Sequence, residues 1–219
     1  MDTIITLTMS PSLDKSMYID KVHQDTKLRG TELLRDPGGG GINVARAVTK
    51  LGGRATALYL EGGCEGEGLT RRLKEEGVAC VPIGIAATIR ESLTVTERLT
   101  GNQFRFSTPG PSLSAEEMES VNRKIDELLG PDVILVASGS LPDGVPADYY
   151  RRLGVRAAAR GARVIVDTSG KALEAVLNTD GEWKGPFLIK PNLRELADLT
   201  GHEALEQPDI RKAAGGASG

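Results

Sequence analysis

The chain has 219 residues, 39% of them hydrophobic and 26% charged, with a formal net charge of −3. That length suits one domain, or one with a small appendage, around an ordinary core, and that charge excludes a general attraction to nucleic acid or anionic membranes. No segment approaches the roughly 18 apolar residues that cross a bilayer, and the opening MDTIITLTMSPSLD lacks the basic stretch and long apolar run of a signal peptide.

In chain order, IITLTMS (4–10) is a short β-rich run stopped by Pro11. INVARAVTKLGG spaces Ile42, Val44, Ala45, Val48 and Leu51 on one helical face and closes on Gly52 and Gly53. ATALYL (55–60) predicts a strand, GEGLTRRLKEEG (66–77) a helix ended by Gly77, and VACVPIG the next strand. After Arg90 the period changes to two. SLTVTERL (92–99), the turn TGN and QFRFS predict a β-hairpin with a polar outer face. Ser114 and Glu117 have the spacing of a capping box opening SAEEMESVNRKIDELL. VILVAS (133–138) is a continuous apolar run, as expected of a strand covered on both faces. Helix 146–160, strand 163–169, helix 171–177, strand 187–192 and helix 193–200 follow.

Repeated βα units predict a doubly wound, mostly parallel α/β sheet with helices on both faces. Two stretches break the rhythm, at about 15–36 and 90–108. They are expected to pair as a small β lid inserted in one domain spanning 1–219. Cys64 and Cys80 form neither a disulfide framework nor a metal pattern. His23 and His202 are isolated and read as structural. Together these features fit a cytoplasmic enzyme of small-molecule metabolism.

Ligands of open α/β sheets bind beyond the carboxyl ends of the strands. The loops there are SPSLD, the glycine run (38–41), SGSLPDG, DTSG and KPNLRE, each rich in Gly, Ser, Asp or Asn. Glycines let backbone N–H groups approach a ligand closely, and a helix behind them adds its positive end. The run is not a dinucleotide fingerprint and not a Walker A motif. It reads either as a hinge or as a ligand cradle, with Asn43 able to donate to and accept from a sugar hydroxyl. Asp14 either caps a turn or accepts hydrogen bonds from two adjacent polyol hydroxyls. Asn192 and Glu195, three residues apart, form either a capping box or a water-mediated Mg²⁺ and phosphate site. Lys27, Arg29, Arg90 and Arg105 lie in or beside the lid segments. They form either a solvated face or a clamp on a substrate phosphate.

TLTMSPSLD, PGGGGINVARAV, SGSLPDGVP, VDTSG and IKPNLREL, in this order and spacing, resemble the motifs of the ribokinase-like (PfkB-type) carbohydrate kinases. The likeness covers essentially the whole chain, QPDIRKAA near its end included. Most of that family has Lys where this chain has Gly40. The resemblance implies a kinase that phosphorylates a sugar phosphate with MgATP. Fructose 6-phosphate is the favoured acceptor, ahead of fructose 1-phosphate, tagatose 6-phosphate and, more remotely, a nucleoside. By position, Asp14, Gly39, Gly40 and Asn43 would hold the sugar, Arg90 would meet the substrate from the lid, and Ser140 would line its phosphate side. Lys27 would reach nucleotide phosphate from a partner subunit's lid. Lys190 and Asn192 would lie near the ATP phosphates, and Glu195 would orient the Mg²⁺ waters. A homodimer through the lid is implied.

The family's Gly-Ala-Gly-Asp stretch is absent from these 219 residues. In the family its Asp is the general base, and its amides cradle the transferred phosphoryl group. AAGGASG at the end resembles no family motif. The chain is therefore expected to lack the C-terminal third of the family and to be nearly inactive alone. A non-catalytic sugar-phosphate-binding fragment is the other reading.

Overall fold

The computed structural model describes residues 3–200. QPDIRKAA, His202 and AAGGASG lie outside the described residues. Strands β1 (Thr3–Thr8), β4 (Ala55–Glu61), β5 (Ala79–Gly84), β8 (Val133–Ser138), β9 (Arg163–Asp167) and β10 (Leu188–Ile189) form one parallel sheet of order β10-β9-β8-β1-β4-β5. Helices α1 (Gly40–Lys50) and α2 (Gly63–Glu75) cover one face. Helices α3 (Ala115–Leu128), α4 (Tyr149–Ala159) and α5 (Gly170–Leu177) cover the other. A final helix, α6, runs Leu193–Thr200.

Alternation along β1 produces the two cores. Ile5, Leu7 and Met9 pack with Val121, Ile125, Tyr150 and Leu153 on one side. Ile42, Ala45, Tyr59, Leu69 and Leu73 form the separate core on the other. With helices on both faces, the strands read as apolar runs rather than alternating ones. Thr6 is an exception, buried with no hydrogen-bond partner for its Oγ1 among the described residues. Thr6→Val removes that unpaired hydroxyl at nearly constant shape. It is expected to stabilise the fold by about 1 kcal/mol, raising the melting temperature by about 2–4 °C for a chain of this size. Thermal denaturation checks this, and an unchanged or lower midpoint would contradict it.

The remaining strands, β2 (Ser12–Ile19), β3 (Thr31–Gly38), β6 (Arg90–Glu97) and β7 (Gln103–Ser107), make a second sheet of order β3-β2-β6-β7. Phe104 and Phe106 share a face with Leu93 and Val95, opposite the polar face of Ser92, Thr94 and Arg105. All of β7 is exposed, both phenylalanines included.

Several boundaries differ from expectation. Only Ser10 and Pro11 of SPSLD lie in a loop: β2 begins at Ser12, so Asp14 is a strand residue. Helix α2 begins at Gly63 rather than 66, with Gly63 itself at φ +68°. Two glycines disguise that first turn in the sequence. Helix α4 begins at Tyr149 rather than 146, because Pro146–Asp148 form a turn in which Pro146 O accepts from Tyr149 N–H. Strand β10 is only two residues long and lies at the sheet edge. Pro191, two residues on, has no N–H to extend a ladder. The capping box at Ser114 and Glu117 forms as expected.

Candidate active site

Strand order fixes where a ligand can enter. From β1 the chain adds β4 and β5 outward on one side, then returns to lay β8, β9 and β10 on the other. The order therefore reverses between β1 and β8, the kind of crevice in which open α/β sheets bind ligands. The glycine run sits at that crevice. Gly39 is the N-cap of α1 and adopts φ +120°, a conformation that L side chains avoid. Gly40 packs on Ser138 at the end of β8: a Cβ there would lie 2.9 Å from the Ser138 carbonyl carbon and collide with its Oγ. The Thr8 hydroxyl, at the end of β1, accepts the Ile42 N–H at 2.9 Å. The first turn of α1 thus presses on both strands at the switch point, without a side-chain cap from its own N-cap residue. Asn43 is on that turn and exposed. Because α1 starts at Gly40, Asn43 is its fourth residue rather than near its first.

The second sheet supplies the acidic side. Ser12 pairs in register with Gly38 on one neighbour and Arg90 on the other. Ser12 Oγ donates to Asp14 Oδ1 at 2.7 Å, and the Asp14 carboxylate lies directly over Gly38. Arg90 has a buried Nε with no hydrogen-bond partner among the described residues. Asp14, Gly38, Gly39, Gly40 and Arg90 therefore meet at one end of the second sheet.

A polar chain continues from Gly40 across the main sheet. Ser138 Oγ donates to Asp167 Oδ2 at 3.0 Å, and Lys190 Nζ pairs with Asp167 Oδ1 at 3.1 Å. Tyr150 OH and Thr168 Oγ1 both donate to Gly139 O, at 3.2 and 3.1 Å. Burial raises the Tyr150 phenol far above its ordinary range, so it is held as a neutral donor. Ser140 is exposed beside this chain, lining a cavity of about 330 Å³ with Asp143, Thr168 and Ser169.

Asn192 and Glu195 do make the capping box: Asn192 N–H donates to Glu195 Oε2 at 2.8 Å and Glu195 N–H to Asn192 Oδ1 at 2.9 Å. They join the rest only through Lys190, two residues before. Lys27 stands apart, exposed in the loop between β2 and β3, lining a cavity with Asp20, Lys21, His23 and Arg29. Arg105 is on β7 and donates to Gln103 Oε1.

Sequence reasoning singled out neither Thr8 nor Arg46, and it gave no role to Ser138 and Asp167, the first residues of SGSLPDG and DTSG. All three of Thr8, Ser138 and Asp167 close strands, so strand-end position was their available signal. Arg46 had none, since it reads as an ordinary charge on a helix. It makes a two-pronged pair with Glu76, Nε to Oε2 at 2.8 Å and Nη2 to Oε1 at 2.7 Å. Its Nη1 donates to Pro37 O at 3.0 Å. The Arg46 guanidinium holds the Glu76 carboxyl below the usual carboxylate range, against a smaller opposing effect of burial.

At the switch point the N-terminus of α1 and the Asp14 carboxylate over Gly38 stand together, an arrangement able to meet a polyhydroxylated ligand. The chain belongs to the pfkB family of carbohydrate kinases, whose pattern it matches over residues 8–219. Among its relatives is the ATP-dependent 6-phosphofructokinase isozyme 2 of Mycobacterium tuberculosis, 45% identical over 214 residues, covering 96% of this chain. The chain spans 60% of that protein's length. The Escherichia coli enzyme of the same name is 41% identical, covering 98% of this chain and 68% of its own length. The crystal structure of Escherichia coli phosphofructokinase-2 in complex with fructose-6-phosphate superposes with a TM-score of 0.88, at 40% identity, over 99% of this chain and 70% of that one.

Proposed function

We propose that the chain supplies the sugar-phosphate side of an ATP-dependent 6-phosphofructokinase, which transfers the γ-phosphoryl group of ATP to fructose 6-phosphate. The observation that carries this is the Asp14 carboxylate seated over Gly38, beside the α1 N-terminus at the switch point. Asp14 accepts two adjacent ketose hydroxyls, and Ser12 Oγ, donating to it, holds its carboxylate in place. Amides of the run and the side chain of Asn43 meet the remaining hydroxyls, aided by the positive end of the helix. Arg90 and Ser140 face the sugar phosphate. The unpaired Nε of Arg90 supports this, because a bidentate guanidinium suits a phosphate.

On the nucleotide side, Lys190 and Asn192 contact the ATP phosphates, and Glu195 orients the waters of Mg²⁺. No cluster of three His, Cys, Asp or Glu that could hold a metal exists among the described residues. A magnesium ion that keeps its waters and arrives on the nucleotide would need only one nearby carboxylate, that of Glu195. Glu195 commits Oε2 to its cap, leaving Oε1 for such a water. Bound magnesium would neutralise phosphate charge during transfer.

The second sheet acts as the lid and as a homodimer surface. Exposed Leu33, Phe104 and Phe106 on it support an apolar contact with a second copy, whose Lys27 would then reach the partner's site. No helix among the described residues is long and apolar enough to cross a membrane.

Isothermal calorimetry tests the proposal. Fructose 6-phosphate is expected to bind, and Asp14→Asn to weaken it about 100-fold, the loss of a carboxylate that accepts two hydroxyls at about 1.5 kcal/mol each. No binding by the wild-type chain, or equal binding by the variant, would refute it. ATP binding separates a kinase from the second reading, a sugar-phosphate-binding fragment.

A further inference from the structure

The glycine run carries no side chain of its own between Pro37 and Ile42. Ordering backbone costs about 1–2 kcal/mol per residue, and most for glycine. Something outside the run must hold its shape. The exit is held by Thr8, which accepts the Ile42 N–H. The entry is held by the pairing of Gly38 with Ser12 on β2 and by Arg46, whose Nη1 donates to Pro37 O, the carbonyl just before Gly38.

Arg46 is suited to that task. Its side chain is only 16% exposed. It springs from α1, reaches back to the end of β3, and is braced by Glu76, the C-cap residue of α2. Asp36, at 3.6 Å, adds a second carboxylate on the β3 side. One guanidinium thus ties together the last turn of the second sheet's strand and both helices on that face. Only the planar fork of arginine can meet two carboxylate oxygens and a carbonyl at once.

We propose that Arg46 is a positioning residue: braced by Glu76, it locks the entry of the glycine run so that its main-chain N–H groups are preorganised for the sugar. The sugar arm of this inference rests on the function proposed above, whereas the locking itself does not. If the run is in place in only a fraction of molecules, apparent affinity falls by that fraction.

Hydrogen exchange and fructose 6-phosphate titration test it on the 219-residue chain, using Arg46→Ala, the milder Arg46→Lys and a control, Arg156→Ala. Arg156 pairs with Asp126 across α3 and α4, remote from the run, with its side chain 32% exposed. The expected result is exchange at amides 38–42 about tenfold faster in both Arg46 variants, with about tenfold weaker sugar binding. The Arg156 variant should lower the melting temperature and change neither. Faster exchange spread evenly over the chain, or no faster at 38–42 than in the control, would overturn the proposal. If the wild-type chain binds no sugar, the functional reading fails and the exchange arm still decides the lock. If Arg46→Ala does not fold, Arg46→Lys decides, because it keeps the charge and loses the fork.

Discussion

A polypeptide of these 219 residues, given MgATP and fructose 6-phosphate, is expected to turn over more slowly than about 10⁻² s⁻¹, about 10²–10⁴-fold below the ordinary 1–100 s⁻¹ of kinases. Phosphoryl transfer depends on positioning and charge stabilisation. The described residues provide a place for the acceptor, with Asp14 over the glycine run, and a cationic group at Lys190. They provide no carboxylate that the resemblance assigns as the base for the attacking hydroxyl, and no Gly-Ala-Gly-Asp stretch is in the sequence. Losing a general base costs about 10²–10⁴ in rate, and one anion-stabilising donor about 10²–10³. A coupled assay for ADP release, run with and without the sugar, measures this. Turnover in the ordinary range would show that residues of this chain supply both functions.

Gly40→Ala is expected to weaken fructose 6-phosphate binding at least about tenfold and to destabilise the fold by about 1–3 kcal/mol, the usual cost of overpacking. The new methyl group would stand 2.9 Å from the Ser138 carbonyl carbon, and that main chain is fixed in β8 between β1 and β9. Ser138 Oγ could rotate away only by giving up its bond to Asp167. The α1 N-terminus must therefore move off the switch point, taking its N–H groups with it. Gly68→Ala is the contrast. Gly68 is inside α2, and nothing lies closer than 4.0 Å to an added Cβ. Alanine there is expected to raise stability by about 0.5–1 kcal/mol through helix propensity and to leave sugar binding unchanged. Thermal melts and calorimetry on both variants check the pair. Equal behaviour of the two would mean that the close approach at Gly40 has no consequence.

The repeating βα pattern was legible because burial on two faces forces apolar runs in the strands and periodic stripes on the helices. The capping boxes at Ser114 and Asn192 were legible because they are local, three residues across. The glycine run announced itself because four such residues are costly anywhere but at a close approach. Strand ends fared worse. Asp14 looked like a loop residue because a Ser-Pro-Ser turn precedes it, yet β2 begins at Ser12 by pairing with Gly38 and Arg90, partners 26 and 78 residues away. Likewise, the phenylalanines of QFRFS alternate as a half-buried strand should, yet both are exposed. Alternation says which residues share a face, not whether anything covers it.

Local chemistry, then, was enough to specify the class of sheet, the two excursions from it and the loops able to meet a ligand. Periodicity, capping and backbone freedom act over a few residues and leave their mark in composition. Strand order was settled elsewhere, by side-chain packing between segments far apart in the chain. That order put the reversal between β1 and β8, stacked Gly40 on Ser138, and brought Arg46 from α1 onto Pro37 and Glu76. Such contacts depend on how two layers fit, and no short window of residues carries that information.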